Sequence, residues 1–202
     1  MEHPVFLTET FLETLADGKV AIVDNVLGGS VVDHVLEEAH SLLMQRRFHQ
    51  AGMGQTTQHH QDINYRGDQI CWVDQQNMGR GIRTVCATFE HIRRFLNEHA
   101  FLGLKDFELQ LAWYPGNGER YGKHRDAFVG SKRRVITAIY YLNTTWSPKA
   151  GGELWAETTT GTQHIAPLAD RLVVFRSDEV EHEVRPSYAP RWALTGWFRI
   201  QP

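Results

Sequence analysis

From Phe107 to Tyr114 the chain alternates: Phe107, Leu109, Leu111 and Trp113 fall on one side, Glu108, Gln110, Ala112 and Tyr114 on the other. A period of two belongs to a β-strand, whose successive side chains point to opposite faces. Residues 133–143, 151–157, 171–176 and 191–199 are further short β candidates, separated by Gly, Pro, Asn and Ser. Short strands with turn residues between them predict a sandwich or jelly roll. No internal repeat, low-complexity linker or domain break interrupts the pattern. A single domain over 1–202 is expected, a length within the usual range of about 50 to 250 residues.

The first half reads as mixed α and β, so the expected fold is mainly β with helices supporting one face. Thr8 or Thr10 can cap a short helix with Phe11, Leu12 and Leu15 on one face, ended by Gly18. Val20 to Val23 is a short apolar strand. Ser30 is the expected cap of a stronger helix, with Val31, Val32, Val35, Leu36, Ala39, Leu42 and Leu43 at helical spacing. A third helix is expected from about Thr84 to His99, placing Val85, Phe89, Ile92 and Leu96 together. Residues 51–63 are rich in Gly, Gln, Thr and His without periodicity, which predicts a mobile loop.

Charge and cysteine usage narrow the function classes. Lys plus Arg total 21 against 24 for Asp plus Glu, a net charge of −3. That balance lacks the basic footprint of a nucleic-acid binder. No apolar run approaches the roughly 18 residues of a membrane span, and the acidic start lacks the basic and apolar segments of a signal peptide. A cytoplasmic monomer is expected. Cys71 and Cys86 fit no zinc-like spacing; a disulfide is one reading, and two thiols in a reducing compartment the other.

The chemistry concentrates in His124-Arg125-Asp126, joined by His182 and, nine residues beyond it, Arg191. Two histidines and one carboxylate form the ligand set of a facial triad, which leaves positions of a non-haem Fe(II) open for substrate and O₂. If 124 and 126 lie in a strand, they share a side, while Arg125 points away. His182 must arrive from a distant strand. The spacing alone is weak: His60-Gln61-Asp62 repeats it, beside His59, in a polar stretch without strand pattern, and reads as solvated loop. For His124 and Asp126 the plainer alternative is a surface ion pair or a turn.

Arg191 shares a strand face with Ala193, Thr195 and Trp197. Its planar guanidinium matches a carboxylate, so an organic-acid cosubstrate is one partner and a structural salt bridge to Glu183 the other. Tyr114 and Tyr141 end two β candidates and can add hydroxyls, though lone tyrosines are more often core. Tyr114-Pro115-Gly116-Asn117-Gly118 must turn sharply. Gly151-Gly152 suits a close backbone approach.

Taken together, these segments resemble the prolyl 4-hydroxylase branch of Fe(II)/2-oxoglutarate-dependent dioxygenases. The likeness is nearest to the type that hydroxylates hypoxia-inducible factor in oxygen sensing, and to its bacterial counterparts. It rests on 114–118, on Tyr121-Gly122-Lys123-His124-Arg125-Asp126, and on Ile139-Tyr140-Tyr141-Leu142-Asn143. It continues through Gly151-Gly152-Glu153-Leu154, Ser177-Asp178 and His182-Glu183-Val184 to Arg191-Trp192-Ala193-Leu194-Thr195-Gly196-Trp197-Phe198. Arg66 to Trp72 resembles the segment beside the family's substrate loop.

The resemblance implies a double-stranded β-helix (jelly roll) with Fe(II) on His124, Asp126 and His182. It implies 2-oxoglutarate and O₂ as cosubstrates, with ascorbate as reductant. Arg191 would hold the distal carboxylate of 2-oxoglutarate, helped by Tyr141 and Thr195, with Tyr114 near the metal and Ile139 and Leu154 as apolar wall. Tyr121, Arg134, Trp197, Arg66, Asp68 and Trp72 would lie on the substrate side. The partner would be a protein carrying a target proline, a translation elongation factor being the bacterial candidate. Two rivals are an oxygenase of nucleic acid or small molecules and a cupin-like sensor without turnover. Against a nucleic-acid demethylase stand the net charge and Trp197, which occupies the place of a second arginine six residues after Arg191.

Overall fold

A computed structural model describes residues 4–52, 64–127 and 134–201. Among these residues the order is α1 (Glu9–Ala16), β1 (Ala21–Val23), α2 (Gly29–Met44), β2 (His49–Gln50), β3 (Gln69–Trp72) and α3 (Arg80–Ala100). There follow β4 (Asp106–Tyr114), β5 (Glu119–His124), β6 (Arg134–Tyr141), β7 (Leu154–Thr158), β8 (Gly161–Ile165), β9 (Leu172–Arg176), β10 (Glu181–Ser187) and β11 (Arg191–Arg199). The strands form a seven-stranded sheet, β1-β9-β6-β11-β4-β3-β2, and a four-stranded sheet, β5-β10-β7-β8. Every ladder is antiparallel. This is the expected jelly roll with supporting helices.

Strand parity divides the core in two. Leu109 and Leu111 of β4, Ile136, Ala138 and Tyr140 of β6, and Leu194 and Phe198 of β11 pack with Val32, Val35, Phe89 and Ile92 of the helices. The alternate residues, Ala112, Tyr114, Ile139, Tyr141, Val173, Phe175 and Ala193, pack with Leu154, Ala156 and Val184 of the smaller sheet. So the middle of the large sheet is covered on both faces, and both phases of its central strands are largely buried. The second phase of the β4 alternation is therefore buried as well, at Gln110, Ala112 and Tyr114.

The helices differ from expectation at their starts. Of the two candidate caps for α1, Thr8 is the cap, its Oγ1 accepting from Phe11 N at 3.3 Å, and Gly18 turns the chain at φ +66°. Ser30 does not cap α2; the N-cap is Gly28, and no side chain of the helix itself serves. Asp170 takes that part from far along the chain, accepting from Leu27 N at 2.8 Å and Gly28 N at 2.7 Å. A carboxylate at a helix N-terminus also meets the positive end of its dipole. Helix α3 begins at Arg80 rather than near Thr84 because Glu38 of α2 accepts from Gly81 N at 2.6 Å. Gly81 allows the contact, since a Cβ there would lie 2.5 Å from Val35 N.

The polar stretch 53–63, with His59, His60 and Asp62, lies outside the described residues. Its expected first member, Ala51, belongs to the core instead: it is buried and donates its N–H to the Asp68 carbonyl at 3.0 Å. Cys71 and Cys86 are free thiols, so the disulfide reading is not taken up.

Candidate active site

Register, more than spacing, assembles the metal ligands. β5 and β10 pair so that His182 lies directly opposite His124, with ring centroids 4.3 Å apart. Asp126 joins them from a bend, because β5 ends at His124. The expected parity within a single strand is therefore not what brings His124 and Asp126 together. Asp126 Oδ1 lies 3.5 Å from His124 Nε2, and Oδ2 lies 3.6 Å from His182 Nε2. All three ligand atoms lie within 4.8 Å of one another.

Each imidazole is oriented from behind. His124 Nδ1 is 2.8 Å from the Gly122 carbonyl, and His182 Nδ1 is 3.1 Å from the Val180 carbonyl. A proton on Nδ1 satisfies each carbonyl and turns the Nε2 lone pair to the centre of the triad. Burial, with His124 beside it, pushes the His182 imidazole down to about 4, which keeps it in the neutral, ligating form. Burial alone would raise the Asp126 carboxyl, but His182, His124 and Arg134 hold it well below the usual carboxylate range. Neutral imidazoles and an ionised carboxylate are the donor set a divalent iron requires.

Arg191 stands at the start of β11, only 4% exposed. Its Nε donates to the Gly152 carbonyl at 2.7 Å, and its guanidinium carbon lies 4.9 Å from the Tyr114 ring and 5.1 Å from the Tyr141 ring. No carboxylate among the described residues pairs with it. Glu183, the alternative partner, instead meets Arg185 at 3.1 Å. The Tyr141 hydroxyl is buried and has no hydrogen-bond partner among the described residues. A buried cation without a counter-charge and a buried hydroxyl without a hydrogen bond are costly unless a ligand completes them. A carboxylate fits both.

Gly151 and Gly152 make this approach possible, at φ +63° and +70°. A Cβ on Gly152 would lie 2.9 Å from Arg191 Cδ and 2.8 Å from Ser187 Oγ.

One cavity gathers His124, Asp126, His182, Arg191, Tyr114, Thr195, Ile139, Leu154, Tyr121, Trp197, Arg66 and Asp68. Burial, helped by Asp68, pushes the Tyr114 phenol far up. Tyr141 is not in that wall but behind it, fully buried against Arg191. Tyr121 stacks on His124, with centroids 3.6 Å apart at 15°, and carries the Arg66 guanidinium 4.2 Å over its ring. Burial pushes the Tyr121 phenol up to about 12. Arg66 loses solvation in this column, and Asp68, at 2.9 Å, more than offsets that and holds it charged.

Two sequence candidates stand outside the cavity. Arg134 lies 4.1 Å over the Trp197 ring and pairs with Glu108 at 2.5 Å. Trp72 is 43% exposed, its ring 5.8 Å from that of Trp197. The indole N–H of Trp197 is buried without a hydrogen-bond partner among the described residues. Sequence reasoning missed Gln110, Ala112, Val184 and Ala193, which also line the cavity. The second phase of the β4 alternation was the available signal for Gln110 and Ala112.

A cavity in a jelly roll that gathers a His-Asp-His triad and a buried arginine with no carboxylate partner among the described residues fits an iron oxygenase that uses an organic acid. The family model described as "2OG-Fe(II) oxygenase superfamily" matches residues 109–199, which contain all of these groups, and the chain belongs to that family. Within it, similar proteins include prolyl hydroxylases. The chain is 33% identical over 183 residues to human Prolyl hydroxylase EGLN3, covering 87% of this chain and 76% of that protein. It is 32% identical to the Caenorhabditis elegans hypoxia-inducible factor prolyl hydroxylase over 96% of this chain and 28% of that one. Among solved structures, a Pseudomonas putida prolyl-4-hydroxylase matches with a TM-score of 0.85 and 32% identity over 98% of this chain and 100% of that one. A Trichoplax adhaerens prolyl hydroxylase, solved with a hypoxia-inducible factor peptide, matches with a TM-score of 0.85 and 29% identity, over 95% and 88%.

Proposed function

We propose that this enzyme hydroxylates a prolyl residue of a protein, with a translation elongation factor as the substrate. His124, Asp126 and His182 hold Fe(II). Arg191, with Tyr141 and Thr195, holds the distal carboxylate of 2-oxoglutarate, while Tyr114, Ile139 and Leu154 enclose its chain. The observation that carries this reading is the buried Arg191 beside the Tyr141 hydroxyl: among the described residues the guanidinium has no carboxylate partner and the hydroxyl no hydrogen bond. When bound, iron with 2-oxoglutarate and O₂ supplies the oxidation, releasing succinate and CO₂ as one oxygen atom enters the substrate.

The protein's own contribution is orientation. The Nδ1 contacts to Gly122 and Val180 fix both imidazoles before any ligand arrives. The Gly152 carbonyl fixes Arg191 through Nε and leaves its two terminal nitrogens for a carboxylate. Arg66, Asp68, Tyr121 and Trp197, which line the cavity, receive the peptide, and Arg134 and Trp72 flank Trp197 from outside it. The partnerless Trp197 N–H is a donor suited to a peptide carbonyl, which a buried donor needs. The reading takes residues 1–202 as one catalytic domain, acting as a cytoplasmic monomer and kept active by ascorbate.

The test is incubation of purified bacterial elongation factor with the enzyme, Fe(II), 2-oxoglutarate, ascorbate and air, followed by peptide mass spectrometry. A single-oxygen gain on one proline is expected. An unmodified factor, with 2-oxoglutarate still consumed on another protein, rejects this substrate and keeps the reaction class.

A further inference from the structure

We propose that Thr137 and Ser177 are positioning residues for the metal: their hydroxyls form a one-way hydrogen-bond chain that holds Asp126 to a single-oxygen grip. The inference rests on the reading of His124, Asp126 and His182 as metal ligands. Thr137 Oγ1 lies 2.8 Å from Asp126 Oδ2 and 2.8 Å from Ser177 Oγ, and both hydroxyl residues are completely buried. An ionised carboxylate only accepts, so the single Thr137 proton goes to Asp126. The Thr137 oxygen then accepts the Ser177 proton. The direction of the chain follows: Ser177 to Thr137 to Asp126.

The fold shows why Asp126 needs such support. β5 stops at His124, so no ladder fixes the aspartate two residues on. Ser177, just past β9, holds that segment twice. Its carbonyl accepts from Ala127 N at 3.2 Å, and its hydroxyl reaches the Asp126 carboxylate through Thr137. Ser177 is itself tied to β6 by its N–H on the Val135 carbonyl at 3.0 Å. Thr137 comes from β6 between β9 and β11, paired with Phe175 on one side and Trp197 on the other. The rigid middle of the large sheet thus sets the angle of a ligand that lies outside any strand.

A chemical consequence follows. With Oδ2 engaged by Thr137, Oδ1, which accepts from no hydroxyl among the described residues, is the freer of the two oxygens to face a metal. A carboxylate gripping through both oxygens would take a further coordination position. Single-oxygen binding leaves the open face of a facial triad to a chelating keto acid and O₂. Partners of this kind commonly set the metal affinity as well as the geometry.

The readout is Mn(II) binding to the metal-free full chain by titration calorimetry, without turnover. Thr137→Val keeps the shape and removes the hydroxyl; Thr137→Ser keeps the hydroxyl. Thr137→Val is expected to weaken Mn(II) binding about 10- to 100-fold, the usual effect of losing an outer partner, and Thr137→Ser to stay near wild type. Wild-type affinity in Thr137→Val, as a packing role requires, overturns the proposal, and so does equal weakening in both variants. If Thr137→Val does not fold, Ser177→Ala carries the test: weaker binding supports the chain, and unchanged binding overturns it. His124→Ala is the reference. Wild-type protein that binds Mn(II) no better than His124→Ala overturns the metal assignment, and the hydroxyl chain with it.

Discussion

Replacing Arg191 by methionine separates an anion receptor from a structural salt bridge through the sign of the stability change. If Arg191 had an internal carboxylate partner, its loss would strand that charge and cost about 3–5 kcal/mol. At about 2–4 °C per kcal/mol for a chain of this size, the melting temperature would fall by roughly 6–20 °C. The structure shows Arg191 4% exposed, with one bond to the Gly152 carbonyl and two tyrosine rings near its guanidinium. Methionine then relieves several kcal/mol of ion burial. Against this, the orphaned carbonyl costs about 1–3 kcal/mol and the two cation–π contacts about 0.5–1 kcal/mol each. The contributions cancel to within a few kcal/mol, so the unliganded variant should melt close to wild type. The ligand response should differ sharply. A cosubstrate at 100 times its Kd stabilises wild type by about 2.7 kcal/mol, or roughly 5–11 °C, and Arg191→Met by nothing at the same concentration. The assay is thermal melting of Mn(II)-loaded protein without O₂, with and without 2-oxoglutarate. A large drop in the unliganded variant, with its 2-oxoglutarate shift retained, refutes the reasoning.

Asp126→Ala should lose 2-oxoglutarate-dependent succinate formation, measured at saturating Fe(II); turnover at the wild-type rate contradicts the triad. Gly152→Ala adds a Cβ 2.9 Å from Arg191 Cδ at a φ of +70°. It should raise the KM for 2-oxoglutarate while leaving Mn(II) affinity alone, and an unchanged KM counts against the Arg191 cradle. Gly81→Ala places a Cβ 2.5 Å from Val35 N. Overpacking of about 1–3 kcal/mol should lower the melting temperature by roughly 2–12 °C, with kcat preserved at low temperature; lost kcat without lost stability would show that α3 does more than buttress. Trp197→Phe removes the buried N–H donor along with part of the ring that Arg134 and Trp72 contact, and should raise the KM for the peptide more than that for 2-oxoglutarate. Equal effects on both would remove Trp197 from the substrate side.

What could be read from sequence was mostly composition and phase. The alternation through β4 exposed the strand, and both histidines, the aspartate and Arg191 stood out because few structural roles need them together. Charged strands were harder. β5 reads Glu-Arg-Tyr-Gly-Lys-His and β8 Gly-Thr-Gln-His-Ile, with no apolar phase to mark either, because the small sheet turns one face to solvent. Long-range partners were invisible for a different reason. Asp170 caps α2 across more than a hundred residues, Glu38 starts α3, and the opposition of His182 to His124 exists only in the register of β10 on β5. Thr137 stands in a β candidate and Ser177 in a segment that carries the resemblance, but neither is marked as a partner of Asp126, and only the distances in the fold give them that part. Arg134 and Trp72 fall outside the cavity for a related reason: Arg134 is drawn off by Glu108 and the Trp197 ring, and Trp72 faces outward from β3.

The most direct measurement is a comparison of proline oxidation across a bacterial lysate treated with enzyme, Fe(II) and 2-oxoglutarate, in air and without O₂. His124→Ala serves as the inactive control. A single-oxygen gain at a defined proline, present only with O₂ and active enzyme and matched by succinate, is the expected result. Succinate formed with no proline gaining oxygen, or proline oxidation equal in the His124→Ala control, would contradict the account.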